Sequence, residues 1–353
     1  MKKQFLITAL STLMATSLPV VADKKERKHK DKVHGPLSVM VLGSGGPVAT
    51  EKGRASAGYL IFADGEPKIL MDLGGGTFQR LAKSGVNIKD VDTILLSHLH
   101  IDHTGDLSAV IKSIYFHNNL ARNANPALPG RTAPINIYGP TSTSIPNGPG
   151  GKFPGTEVLQ YPSTEDYVHH HYDVDSGGVE RYLHAFAPAI SGGASKFAYT
   201  ANDLSSNWQA GNIETVVEKD GLVVTAVALN HGPVPAVGFR VDYKGYSIAY
   251  SGDTSSKTDN MIALSEGVDL LIYDTAITDD LPANPVFHLL HTSPTRMGQV
   301  AAAAKVDTLV LSHITPVTES RLDIVKSAIR DADYEGKIKV AKDLKVYNLG
   351  DDD

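Results

Sequence analysis

Short apolar runs dominate the chain from Leu37 onward. LSVMVLG, AGYLIFA, PKILMDLG and VDTILLSH follow one another closely, and after a long middle section LVVTAVALNH, GFRVDYKGYSIAYSGDT, VDLLIYDTA and DTLVLSH repeat the texture. Their length and β-branched content read as strands. Helical spacing separates some of them, in TFQRLAKSG and DLSAVIKSIYF, and returns over residues 255–265, 294–305 and 319–331. Two strand-rich halves, each followed by helices, predict an α/β chain of two packed sheets with helices outside. Four of the runs end in a polar pair holding a potential ligand: His98, His231, Asp253 and His313. Strand ends are where α/β proteins place reactive groups, so four such endings predict a shared rim.

Residues 141–219 break the pattern with PNGPGGKFPG, DSGGVERY and SGGASKF, and are read as an insertion within a domain spanning 37–353. VHHHYD falls there; His169, His170 and His171 cannot all face one pocket and read as a solvated loop, with the alternative that one of them or Tyr172 lines a lid. The chain opens with Lys2 and Lys3, an apolar stretch, and small residues at Val20 and Ala22, the layout of a secretory signal peptide cut after Ala22. A periplasmic or secreted protein without stable membrane insertion is therefore expected, with residues 23–36 as a charged linker. No cysteine is present, so any metal must sit on His and carboxylates. Cleavage removes two lysines and takes the formal charge from −6 to −8, a balance that counts against nucleic acid as a partner. A homodimer is the oligomer considered.

SHLHIDHTGD, residues 97–106, carries the densest chemistry. His98 and His100 share a side of an extended backbone, Asp102 and His103 follow at once, and Gly105 permits a sharp turn. Neutral imidazoles and carboxylates suit zinc, and also manganese or iron(II). Four donors in six residues can serve two adjacent divalent ions when completed by the other strand ends. The expected split is His98, His100 and His231 on one ion and Asp102, His103 and His313 on the other, with Asp253 bridging.

Together SHLHIDHTGD, NHGP, SGDT and LSHI resemble the metallo-β-lactamase superfamily, in order and spacing, across most of the chain after Leu37. The resemblance implies a four-layer αββα sandwich with a binuclear site at one edge. The absence of cysteine and the presence of Asp253 depart from the zinc β-lactamases themselves, and His100 departs from the oxidoreductases of the superfamily. YDTAITDDLPANPVFHLLHTSP resembles the ribonuclease Z branch, which also contains secreted arylsulfatases. That resemblance implies that Asp274 orients His291, and that His291 stabilises the transition state or protonates the leaving group. The branch commonly has Glu where this chain has Asp274, and His288 is a competitor for His291. Ser44, Gly45 and Gly46 offer either backbone N–H groups to an anionic substrate or only a tight turn.

The expected function is an exported, metal-dependent hydrolase of small anionic esters, phosphodiester or aryl sulfate. A water between two ions, lowered in pKa, attacks phosphorus or sulfur, and Asp102 is placed to take its proton. Ribonuclease Z-type tRNA 3′ processing and lactone hydrolysis are the alternatives.

Overall fold

A strand buried on both faces needs cover on both, and β1 (Leu37–Gly43) has all seven residues buried. Leu37, Val39 and Val41 enter one core while Met40 and Leu42 enter another, the alternation that period two dictates. The computed structural model describes residues 33–128, 131, 133–142, 144–146, 158–172, 199–281 and 285–350. The signal-peptide segment and most of the linker lie outside these residues.

The first half supplies β2 (Gly58–Ala63), β3 (Glu66–Leu73), α1 (Thr77–Ser84), β4 (Thr93–Leu95), α2 (Ile101–Thr104), α3 (Leu107–Ala124) and β5 (Ile135–Pro140). A small ribbon, β6 (Ser144–Pro146) with β7 (Val158–Gln160), precedes α4 (Thr164–Tyr172) and β8 (Tyr199–Leu204). The second half supplies β9 (Ile213–Lys219), β10 (Leu222–His231), β11 (Val234–Tyr243), β12 (Tyr246–Tyr250), α5 (Asn260–Leu264) and β13 (Leu270–Asp274). It ends with α6 (Pro285–Leu290), α7 (Pro294–Ala303), β14 (Thr308–Ser312), α8 (Pro316–Glu319), α9 (Leu322–Asp331), β15 (Lys337–Val340) and β16 (Val346–Leu349).

Two seven-stranded mixed sheets result, in the orders β16-β1-β2-β3-β4-β5-β8 and β15-β14-β13-β12-β11-β10-β9. Their facing sides close on Val39, Ile61, Met71, Phe239, Ile272 and Val310. Leu81, Val110, Ile114 and Tyr172 from α1, α3 and α4 cover the outside of the first sheet. Met261, Met297, Val300 and Ile329 from α5, α7 and α9 cover the second. This is the αββα sandwich. Each fully buried large apolar side chain contributes roughly 1.5–3 kcal/mol of burial, and the resulting rigid frame fixes the strand ends.

Three local differences from the sequence reading have simple causes. The run GFRVDYKGYSIAY divides into β11 and β12, because Lys244 and Gly245 take positive φ (50° and 83°) and make a tight hairpin turn. Within the span read as an insertion, β8 and β9 are edge strands that pair with β5 and β10; residues 147–157 and 173–198 of it lie outside the described residues. His169, His170 and His171 sit on α4 instead of a loop, because Val168 and Tyr172, four apart, anchor that helix in the outer core.

Candidate metal centre

Four strand ends bring the site together. The chain leaves β4 into Ser97 and His98, β10 ends on His231, β12 runs into Asp253, and β14 runs into His313. His100, extended at φ −63° and ψ 150°, caps α2, whose turn carries Asp102 and His103 back beneath it. The result is two contiguous donor groups: His98, His100, His231 and Asp253, and Asp102, His103, Asp253 and His313. Within each, one ligand atom per residue lies within 4.8 Å of all the others. Asp253 belongs to both.

The donor chemistry fits cations. His100 Nδ1 lies 2.9 Å from His98 Nε2 and 3.4 Å from His231 Nε2, so three ring nitrogens converge. In the second group His313 Nε2 is 3.1 Å from Asp102 Oδ2 and 3.3 Å from Asp253 Oδ1, and His103 Nε2 is 3.4 Å from Asp253 Oδ1. His103 Nε2 and Asp253 Oδ1 are buried without a hydrogen-bond partner. Leaving such atoms unsatisfied costs on the order of 1–3 kcal/mol each, and a divalent cation is the partner this geometry suits. These residues would hold two ions.

The opposite ring nitrogens are held from behind. His231 Nδ1 donates to Leu290 O at 2.7 Å, which directs Nε2 into the site. His103 Nδ1 donates to Asp72 Oδ2 at 2.7 Å with the same effect. Such outer partners set tautomer and ring orientation in metal sites. Asp72 also accepts from Ser97 N (2.8 Å), Ser97 Oγ (2.7 Å) and Tyr250 Oη (2.6 Å). Tyr59 Oη bonds Ser312 Oγ at 2.6 Å, beside His313, and its ring packs on Tyr250 with centroids 4.8 Å apart. None of Asp72, Tyr59 and Tyr250 emerged from the sequence reading. The one signal was a lone acidic residue inside the apolar run PKILMDLG.

Electrostatics divide the two groups. Burial holds His98 well below the usual imidazole range and His231 down to about 4. Burial opposes charge on His103 and His313 as well, but the Asp253 carboxylate overrides it. It acts with Asp72 on His103 and with Asp102 on His313, raising the first well above its usual range and the second to about 10. Burial would likewise raise Asp253, yet the charges of His313 and His103 keep it well below the carboxylate range. Cations entering the second group therefore replace protons. His313 takes positive φ (56°), a strained setting for a side chain of this size. Its ring lies against Gly46, where a Cβ would stand 2.8 Å from His313 Cε1.

His291 and Asp274 meet beside this centre. His291 Nδ1 is 2.8 Å from Asp274 Oδ2, so the shorter aspartate reaches. Asp274 Oδ1 lies 3.3 Å from His313 Nδ1, out of line for a hydrogen bond. Burial opposes protonation of His291, but the adjacent Asp274 carboxylate raises its pKa. His288 sits a turn earlier on α6, half-buried. The alternative role for Ser44, Gly45 and Gly46 does not hold. Their N–H groups are spent on Asp343 Oδ1, Ala55 O and Ile314 O, and Gly45 bridges Ser56 on one side and Ile314 on the other, so the segment is neither a free set of donors nor a tight turn but an extended connection packed against His313. His171 Nε2 faces Ser108 Oγ at 2.6 Å, on α3.

Comparison with known proteins agrees with this architecture. Residues 52–141 match the family model described as metallo-beta-lactamase superfamily, and residues 178–314 match a beta-lactamase superfamily domain. A ribonuclease Z of Mycobacterium avium is 27% identical over 321 residues, covering 87% of this chain and 96% of that protein. An uncharacterized protein of Mycobacterium bovis is 30% identical over 314 residues, covering 88% and 92%. The crystal structure of the short form of human tRNase Z superposes with a TM-score of 0.58 at 20% identity, covering 89% of this chain and all of that one. The chain belongs to the metallo-β-lactamase superfamily, on its ribonuclease Z side, and is a metal-dependent hydrolase of ester bonds.

Proposed function

We propose that the protein hydrolyses phosphodiester bonds, and that RNA processing of the ribonuclease Z kind is the activity its likeness supports best. The observation carrying this reading is the His291–Asp274 pair, whose atoms group within 4.8 Å with Asp253 and His313 at the edge of the second ligand group. Two divalent ions, zinc by donor type, would lower the pKa of an attacking water and polarise the ester oxygens.

The chain's own residues do the rest. Asp102, held ionised by His103 and His313, accepts a proton from the attacking water. His291, bound through Nδ1 to Asp274, keeps Nε2 for the substrate. Because the pair favours the imidazolium, that nitrogen gives its proton to the leaving oxygen as the P–O bond breaks. Asp274 fixes the ring and balances its charge.

The similarity to ribonuclease Z across 87% of the chain counts against the expectation that nucleic acid is not a partner. A small anionic ester is the second reading, favoured by the export pattern of residues 1–22. An exported protein does not meet precursor tRNA, so sequencing the mature N-terminus separates the two readings. A terminus after Ala22 supports the small ester, and an intact Met1 supports tRNA.

The test of the chemistry assays the metal-replete chain on precursor tRNA, an aryl phosphodiester, an aryl sulfate and an acyl lactone. Phosphodiester cleavage is expected. Turnover of sulfate or lactone without it would overturn the proposal.

A further inference from the structure

Among the described residues, the segments that directly flank the ligands of the metal centre carry no fixed charge. Five segments border the ligands: residues 45–49 lie under His313, 99–101 run between His98 and Asp102, 232–236 follow His231, 285–290 lead into His291, and 314–318 follow His313. None contains Lys, Arg, Asp or Glu. Of the ten exposed large hydrophobic side chains among the described residues, five stand here: Val48, Ile101, Val286, Phe287 and Val317. Ile101, flanked by two proposed ligands, is 75% exposed and Phe287 is 44% exposed. Apolar side chains left in water next to a reactive centre need an occupant to explain them.

Phe287 has a defined place. His291 N donates to Phe287 O at 2.9 Å, so His291, the residue after α6, lies one helical turn beyond Phe287 on the same side. The same helix is tied to the centre by the Leu290 carbonyl on His231 and by Leu290 against Gly232.

We infer that the substrate is held beside its scissile bond by an aromatic ring packed on Phe287 and Ile101. The inference rests on the phosphodiesterase reading for its reaction and on the rim alone for its subsite. Flat rings pair well with Phe, and both a nucleobase and a small aryl ester present one.

The test uses the metal-replete full chain and two diesters with the same leaving group, bis(p-nitrophenyl) phosphate and methyl p-nitrophenyl phosphate, together with precursor tRNA. Calorimetric binding of phenylphosphonate against methylphosphonate gives a readout independent of turnover. Phe287→Ala and Ile101→Ser should each lower kcat/KM for the bis-aryl diester about ten-fold more than for the methyl diester. Phe116→Ala, an exposed phenylalanine on α3, should leave that ratio unchanged. Equal losses on both diesters, or equal binding of the two phosphonates, would overturn the subsite. Phenylphosphonate preference that depends on Phe287, without cleavage of any diester, would sink the phosphodiesterase reading and keep the subsite. If Phe287→Ala also slows tRNA cleavage the ring is a nucleobase; if it slows only the aryl diester the ring belongs to a small ester.

Discussion

Replacing Asp72 by asparagine isolates the support behind His103. The side chain is fully buried and its Oδ2 takes hydrogen bonds from His103 Nδ1, Ser97 Oγ and Tyr250 Oη. Asparagine suits the positive φ of 50° at this position, so the backbone is not what is perturbed. With Oδ1 still accepting from Ser97 N, an NH2 group replaces Oδ2. The two hydroxyls can turn to accept from it; the imidazole can do so only by moving its proton to Nε2, the nitrogen that faces Asp102 and Asp253. A protonated Nε2 cannot ligate. Loss of an outer partner typically weakens a metal site 10–100-fold, which is about 1.4–2.7 kcal/mol. Stepwise zinc titration against a chelator should show one site weakened by this factor while the site of His98, His100 and His231 holds. Wild-type affinity at both sites in a folded Asp72→Asn protein would refute the tautomer argument.

Three further outcomes follow from the same geometry. His291→Gln should lower kcat by roughly 10²–10⁴-fold with two metals still bound; near-normal turnover, or metal loss by elemental analysis, would exclude the proton-donor role. In metal-stripped protein, His231 has a folded pKa of about 4 against 6.5, so the unfolded chain binds more protons between those values. Stability from this group is complete above pH 6.5 and is lost as pH falls to 4, by at most about 3 kcal/mol. His313, raised to about 10, acts oppositely: its contribution is present below 6.5 and lost as pH rises through 10. Urea titrations should therefore peak near neutrality, and His231→Gln should flatten the acid limb; an unchanged limb would count against the assignment. Gly46→Ala puts a methyl 2.8 Å from His313 Cε1 and should cost about 1–3 kcal/mol, more in metal-loaded than in stripped protein; equal thermal shifts in both would contradict it.

The donor set was legible because its chemistry is local or terminal. His98, His100, Asp102 and His103 occur within six residues, and His231, Asp253 and His313 each follow an apolar run. Two packed sheets with helices outside were legible from strand runs and helical spacing in each half, and the four-layer αββα order came from the resemblance carried by the ligand motifs. What periodicity does not carry is which faces meet. Tyr59 and Tyr250 sit in apolar strands and read as core, which they are. Their hydroxyls matter only once the sheets are stacked. Tyr59, on the first sheet, bonds Ser312 on the second, while Tyr250, on the second, bonds Asp72 on the first.

That crossing bears on the centre itself. Four proposed ligands follow strands of the first sheet and three end or follow strands of the second, so a slide of one sheet over the other would pull the two halves apart. An apolar interface resists such a slide weakly, since one greasy contact replaces another. Directed bonds of 2.6 Å do not exchange in that way, because a shift leaves a buried hydroxyl unpaired at a cost on the order of 1–3 kcal/mol. The polar pair beneath the site is thus the part of the core that specifies sheet register, and it lies where register matters to the chemistry.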